Sequence, residues 1–166
     1  MSALAAALWC AGCSLAPSYS VRTYRMGDPV EIGGLVYHVY ESNWHTHLGE
    51  GAEARVPGER FLLVRVSVAN KGTEEIVVPE MTIAEDGGQP RREVPAGEQV
   101  PQWMGLVRTL KPGASMQGNI LFDCAPRKYK LRLTDETEQR VALVDLPLAF
   151  GSEQPELPAP ELPKSQ

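Results

Sequence analysis

Cysteine, histidine and aromatic side chains are all scarce in this chain, which has three cysteines, three histidines and an aromatic fraction of 7%. A disulfide-stapled mini-domain is excluded, because such folds need several cysteine pairs to make up for a small core. Positive charge is short as well. The net charge of -5 leaves no basic stripe for a phosphate backbone, so no nucleic-acid partner is expected. Residues 3–9 (ALAAALW) are apolar, yet a bilayer-crossing helix needs about 20 residues. After Cys13 no stretch shows the 3.6-residue periodicity of an amphipathic helix. G-x-S-x-G, the P-loop and HExxH are missing too. Acidic pairs such as Glu74-Glu75 and Glu85-Asp86 fall in turns, where they keep loops wet. Neither an enzyme nor a cofactor is expected.

What is present begins with LWCAGCSLAP, residues 8–17. A redox C-x-x-C opens a helix after a buried strand, and a zinc site wants a second ligand pair. Neither context surrounds Cys10 and Cys13. The short apolar run before them fits a signal-peptide core. The segment resembles a bacterial lipobox, with Ala11 and Gly12 as the small residues before Cys13. Cys10 stands where Leu is usual, and no Lys or Arg precedes Ala3. This resemblance implies a signal peptide over residues 1–12 and lipidation at Cys13. A tether over 13–23 would follow. An uncleaved terminus, a redox pair and a metal pair stay open as alternatives. One acyl chain anchors only marginally, so multiple acylation is expected. The chain would then face the periplasm or exterior from a cell membrane or outer membrane. Ser14 carries no acidic retention signal, which favours the outer one.

Beyond the tether the pattern is β. Leu62, Val64, Val66 and Val68 alternate with Leu63, Arg65, Ser67 and Ala69, the period-2 signature of a strand with one buried face. Asn70-Lys71-Gly72-Thr73 ends that strand with turn residues. Residues 89–102 hold three prolines and read as a long loop, followed by a strand over 106–110. Lys111-Pro112-Gly113 predicts a type II turn. Cys124 closes an apolar strand and reads as a small buried hydrophobe. Seven to nine short strands at this spacing predict an all-β sandwich of two antiparallel sheets over residues 24–150. Residues 151–166, GSEQPELPAPELPKSQ, are too rich in proline and too poor in bulky apolar side chains to form a core. They predict a disordered, polyproline-II-like tail.

The strands come in a recognisable order. GDPVEIGGLVYHV opens, RFLLVRVSVANKGTEE is central, LKPGASMQGNILFDCAP carries a turn and a G-x-I-x-F strand, and VALVDLPL closes. In this order the chain resembles the DUF4352 family of bacterial secreted and lipoprotein domains. The resemblance implies an immunoglobulin-like β-sandwich, related in fold to a mycobacterial secreted antigen. It implies no catalytic residue.

Two groups of residues are candidates for binding. His45 and His47 flank Thr46, and on a strand their side chains share a face, as in an H-x-H metal pair. His38, Glu41 and Asp123 could supply a third ligand; His38 has the opposite parity unless a bulge intervenes. Trp44 and Trp103 are candidate binding aromatics on strand ends and loops. The reading is a lipid-anchored, non-enzymatic binding or accessory module of the cell envelope, with an envelope protein or polymer as partner. The alternative is a periplasmic metal-binding protein using His45 and His47.

Overall fold

The computed structural model describes residues 20–149. The expected signal peptide, Cys13 and the Pro-rich tail all lie outside these residues. Eleven strands follow in chain order: β1 (Arg22–Arg25), β2 (Pro29–Ile32), β3 (Leu35–His45), β4 (Phe61–Asn70), β5 (Ile76–Val77), β6 (Thr82–Ala84), β7 (Arg91–Arg92), β8 (Thr109–Leu110), β9 (Ser115–Asp123), β10 (Tyr129–Thr134) and β11 (Val141–Leu146). One sheet runs β1-β11-β10-β6-β7 and the other β2-β3-β4-β9, while β5 and β8 form a short ribbon of their own. The result is the expected β-sandwich, built from eleven strands where seven to nine were expected.

The alternation on β4 holds. Leu62, Val64, Val66 and Val68 are buried and join Leu131, Leu133, Val144 and Leu146 of the facing sheet in one core cluster. Each such side chain contributes about 1.5–3 kcal/mol by leaving water. Cys124 is a free thiol sealed in the same cluster. Burial pushes its pKa up to about 11, so it stays a protonated, unreactive thiol. The other face of β4 is less wet than its sequence suggests. Phe61 and Leu63 form a second, smaller cluster with Leu121, Leu48 and Val100, because loop segments fold over that end of the sheet.

Three expectations need correction. The sheets are not purely antiparallel: β1 lies parallel to β11, with Arg22 opposite Ala142 and Arg25 opposite Asp145. The partners are more than a hundred residues apart in sequence, so no local signal announces the pairing. The tether expected over 13–23 overlaps the first strand, because Arg22 and Thr23 belong to β1. The strand expected over 106–110 is only Thr109–Leu110. Gly105 takes a positive φ of 74°, and Arg108 turns inward to an acidic partner.

The long loop is also more ordered than a spacer. Residues 93–108 form a strap along the free edge of β9. Val94 N–H donates to Leu121 O (2.7 Å), Met104 N–H to Asn119 O (3.0 Å), and Asn119 N–H to Gln102 O (2.9 Å). The Asn119 carboxamide adds a bond to Pro101 O at 2.6 Å. Gly118, the glycine of the G-x-I-x-F strand, permits this approach. A Cβ there would sit 2.5 Å from Gln102 O and 3.1 Å from Met104 Cα. Gly118→Ala must therefore push backbone away from backbone. It is expected to lower stability by about 1–3 kcal/mol, the usual overpacking cost. Urea unfolding measures this, and an unchanged midpoint would show that the strap is not seated on Gly118.

Candidate functional site

The strap is pinned at both ends by one buried ion pair, which sequence reading did not find. Arg108 and Glu93 have side chains only 1% exposed. The Arg108 guanidinium donates to Glu93 Oε1 at 2.9 Å, to Glu93 Oε2, and through Nε to Gly105 O at 2.7 Å. Glu93 Oε1 also accepts the Met81 N–H at 2.8 Å. This two-pronged fork and its added bonds satisfy both desolvated charges. At the middle of the strap, Arg55 donates to Ala96 O at 2.9 Å and stands over the Phe61 ring at 5.3 Å. Gln99 and Gln102 hold positive φ values of 62° and 47°. Such backbone costs about 1 kcal/mol or more for a residue with a side chain, and it persists only where the surroundings enforce it.

This rigid strap presents apolar surface to water. Trp103 packs directly on Gly97, where any Cβ would collide with the indole, and it remains 36% exposed. Leu106 is 40% and Val107 87% exposed. The Val78 N–H donates to Arg108 O, which extends the β5–β8 pairing and sets Val107 across from Pro79. Val77, 61% exposed, lies on the same side as Val107, within about 8 Å by the diagonal spacing of paired strands. Beside this margin a cleft of about 430 Å³ is lined by Glu80, Arg92, Glu93, Pro95 and Leu106. The exposed Arg92 guanidinium pairs with Glu80 and holds its carboxyl below the usual range.

The other candidates fare differently. Register shifts between Val39 and Glu41, so the extra residue Tyr40 makes a bulge that reverses the side-chain parity of β3. Trp44, expected at an exposed strand end, therefore points into the core. It packs against Tyr129 with ring centroids 6.2 Å apart, which removes it as a surface aromatic. The same bulge brings His38 to the face of His45, but about 20 Å along the strand, and His38 stacks on Tyr40 instead. β3 ends at His45, so His47 is not on the strand; its ring Nδ1 bonds the Thr46 hydroxyl at 3.0 Å. Burial lowers the His45 pKa, and His47 adds to the shift. Glu41 pairs with Arg65, and Asp123 accepts the Gly58 and Glu59 amides at 2.6 and 2.9 Å. Among the described residues no three His, Cys, Asp or Glu side chains converge as a metal site. His45 and His47 are left without the third donor the metal reading needs.

Comparison with known proteins follows the fold. The family model described as "Domain of unknown function (DUF4352)" matches residues 24–140. The YjhA protein of Bacillus subtilis superposes with a TM-score of 0.59 at 16% identity, over 75% of this chain and 99% of that one. The secreted protein MPT63 of Mycobacterium tuberculosis gives 0.53 at 13% identity, over 76% and 98%. A candidate lipoprotein of Bacillus subtilis, YcdA, gives 0.51 at 16% identity, over 71% and 38%. No curated protein matches the chain in sequence. At these identities the likeness is one of fold.

Proposed function

Because the chain belongs to the DUF4352 family, we propose that it is a non-enzymatic binding module of the cell envelope, docking an envelope protein through the apolar margin of its strap. One observation carries this reading: Trp103, Leu106 and Val107, with Val77 of β5 beside them, are exposed, the first three on backbone fixed by a buried ion pair and by pairing to β9. Exposed apolar side chains on a rigid frame are the usual anchors of protein docking. The strongly perturbed groups, Tyr37, Cys124 and Tyr129, are raised first by burial and sit in the core. That supports a structural role for them rather than acid–base chemistry.

The chain reaches the envelope as a lipoprotein acylated at Cys13. The Ala11-Gly12-Cys13 sequence supports this, and so do a secreted protein and a candidate lipoprotein among the fold neighbours. Cys13→Ser is expected to move the folded protein from the membrane to the soluble fraction. In a pull-down from envelope extracts, Val107→Glu is expected to reduce partner recovery about tenfold or more, the cost of charging a docking anchor. Equal recovery by Val107→Glu and the wild type would remove the strap from the binding surface.

A further inference from the structure

A second surface has no role in that reading. A groove of about 620 Å³ opens where β1 and β11 end and β10 begins, lined by the cations of Arg25, Lys128 and Lys130, the carboxylates of Asp86 and Asp145, and apolar Met26, Leu146 and Leu148. Leu146 gives it an apolar floor and exposed Leu148 an apolar rim. Lys130 is engaged, with its ammonium on Asp86 at 2.6 Å. Exposed Arg25 and Lys128 form no ion pair among the described residues. Their spacing follows from the sheet. Arg25 faces Asp145, which faces Lys130, and Lys128 stands two residues before Lys130. Two strand spacings of about 4.8 Å and two residues of about 3.3 Å set Arg25 and Lys128 about 12 Å apart at their Cα atoms.

The chain runs from this rim into residues 150–166, which carry Pro-Glu-Leu-Pro twice, at 155–158 and 160–163. Residues 153–162 include three glutamates and no basic residue. In a polyproline-II segment, rising about 3.1 Å per residue, Glu156 and Glu161 stand about 15 Å apart. That matches the two cations within the reach of Lys and Arg side chains. Leu157 lies between the glutamates, suited to the floor made by Leu146 and Met26. Residues 150–154, with Gly151 and Ser152, are enough chain for the segment to turn back. A tether this short gives an effective concentration near the millimolar range, so a weak contact suffices.

We propose that this groove is the seat of the chain's own Pro-Glu-Leu-Pro repeat, residues 155–163, bound in cis as an extended acidic segment. The proposal is independent of the strap. Its test uses the full chain with Cys10 and Cys13 changed to Ser and a spin label on Ser165→Cys. The label is expected to erase most of the amide signal intensity of Arg25, Lys130 and Leu148. Arg25→Glu with Lys128→Glu restores those signals, and adding Glu156→Lys with Glu161→Lys erases them again. Three results would each overturn the proposal: full wild-type intensity, persistence of the effect after charge reversal of the groove, or an effect carried only from a labelled chain to a separate isotope-labelled one. The last would mean that a second copy is the occupant.

Discussion

Arg108→Ala is expected to cost about 3–5 kcal/mol of folding stability, the toll of stranding one member of a buried ion pair. The side chain is 1% exposed, as is that of Glu93. Truncation leaves the Glu93 carboxylate desolvated with only the Met81 amide, 2.8 Å away, to compensate it. Gly105 O loses its donor as well. Arg108→Lys does not repair the loss, since an ammonium cannot reproduce the two-pronged fork. The double variant Arg108→Met/Glu93→Leu is expected to recover much of the stability, because replacing both charges by apolar groups removes the desolvation penalty. Urea unfolding of the three variants separates these terms. A loss below about 1 kcal/mol for Arg108→Ala, the value of a solvent-exposed pair, would mean that water reaches the site.

Asn70→Ala is the second large loss expected, about 2–4 kcal/mol from several buried polar groups left without partners at about 1 kcal/mol or more each. Asn70 is 1% exposed at the end of β4. Its carboxamide donates to Glu74 O at 2.7 Å and to Leu110 O at 2.9 Å, and it accepts the Gly72 N–H at 2.8 Å. One side chain thus closes its own turn and ties that turn to β8. Asn70→Asp keeps the acceptor, loses both donors and buries a charge, so it does not rescue. Lys71→Ala, next door and exposed, is expected to change stability by no more than about 0.5 kcal/mol. Similar midpoints for Asn70→Ala and Lys71→Ala would refute the role assigned to the carboxamide.

These two sites mark how far the sequence could be read. Asn70-Lys71-Gly72 is legible because an asparagine that bonds its own following backbone is local turn chemistry. The β4 core face is legible because alternation has a fixed period. Gly118 is visible as a motif, but its reason, the Gln102 carbonyl packed on it, lies across the fold. The bulge at Tyr40 leaves no mark in composition, yet it sends Trp44 into the core and His38 to the face of His45. Arg108 and Glu93 pair across 15 residues with no spacing rule to join them. Consequently the strap, which carries the candidate site, reads in sequence only as a proline-rich loop. Trp103 could be named as a binding aromatic; the support beneath it could not.

The most direct test of the strap as a docking surface is site-specific photocrosslinking in intact envelopes. The photoreactive residue p-benzoylphenylalanine replaces Val107 in one variant and Tyr40, exposed on the outer face of β3, in a second. The account predicts a light-dependent adduct of discrete mass from position 107 and none from position 40. An adduct from position 40 alone, or none from either position in membrane-associated protein, would contradict it.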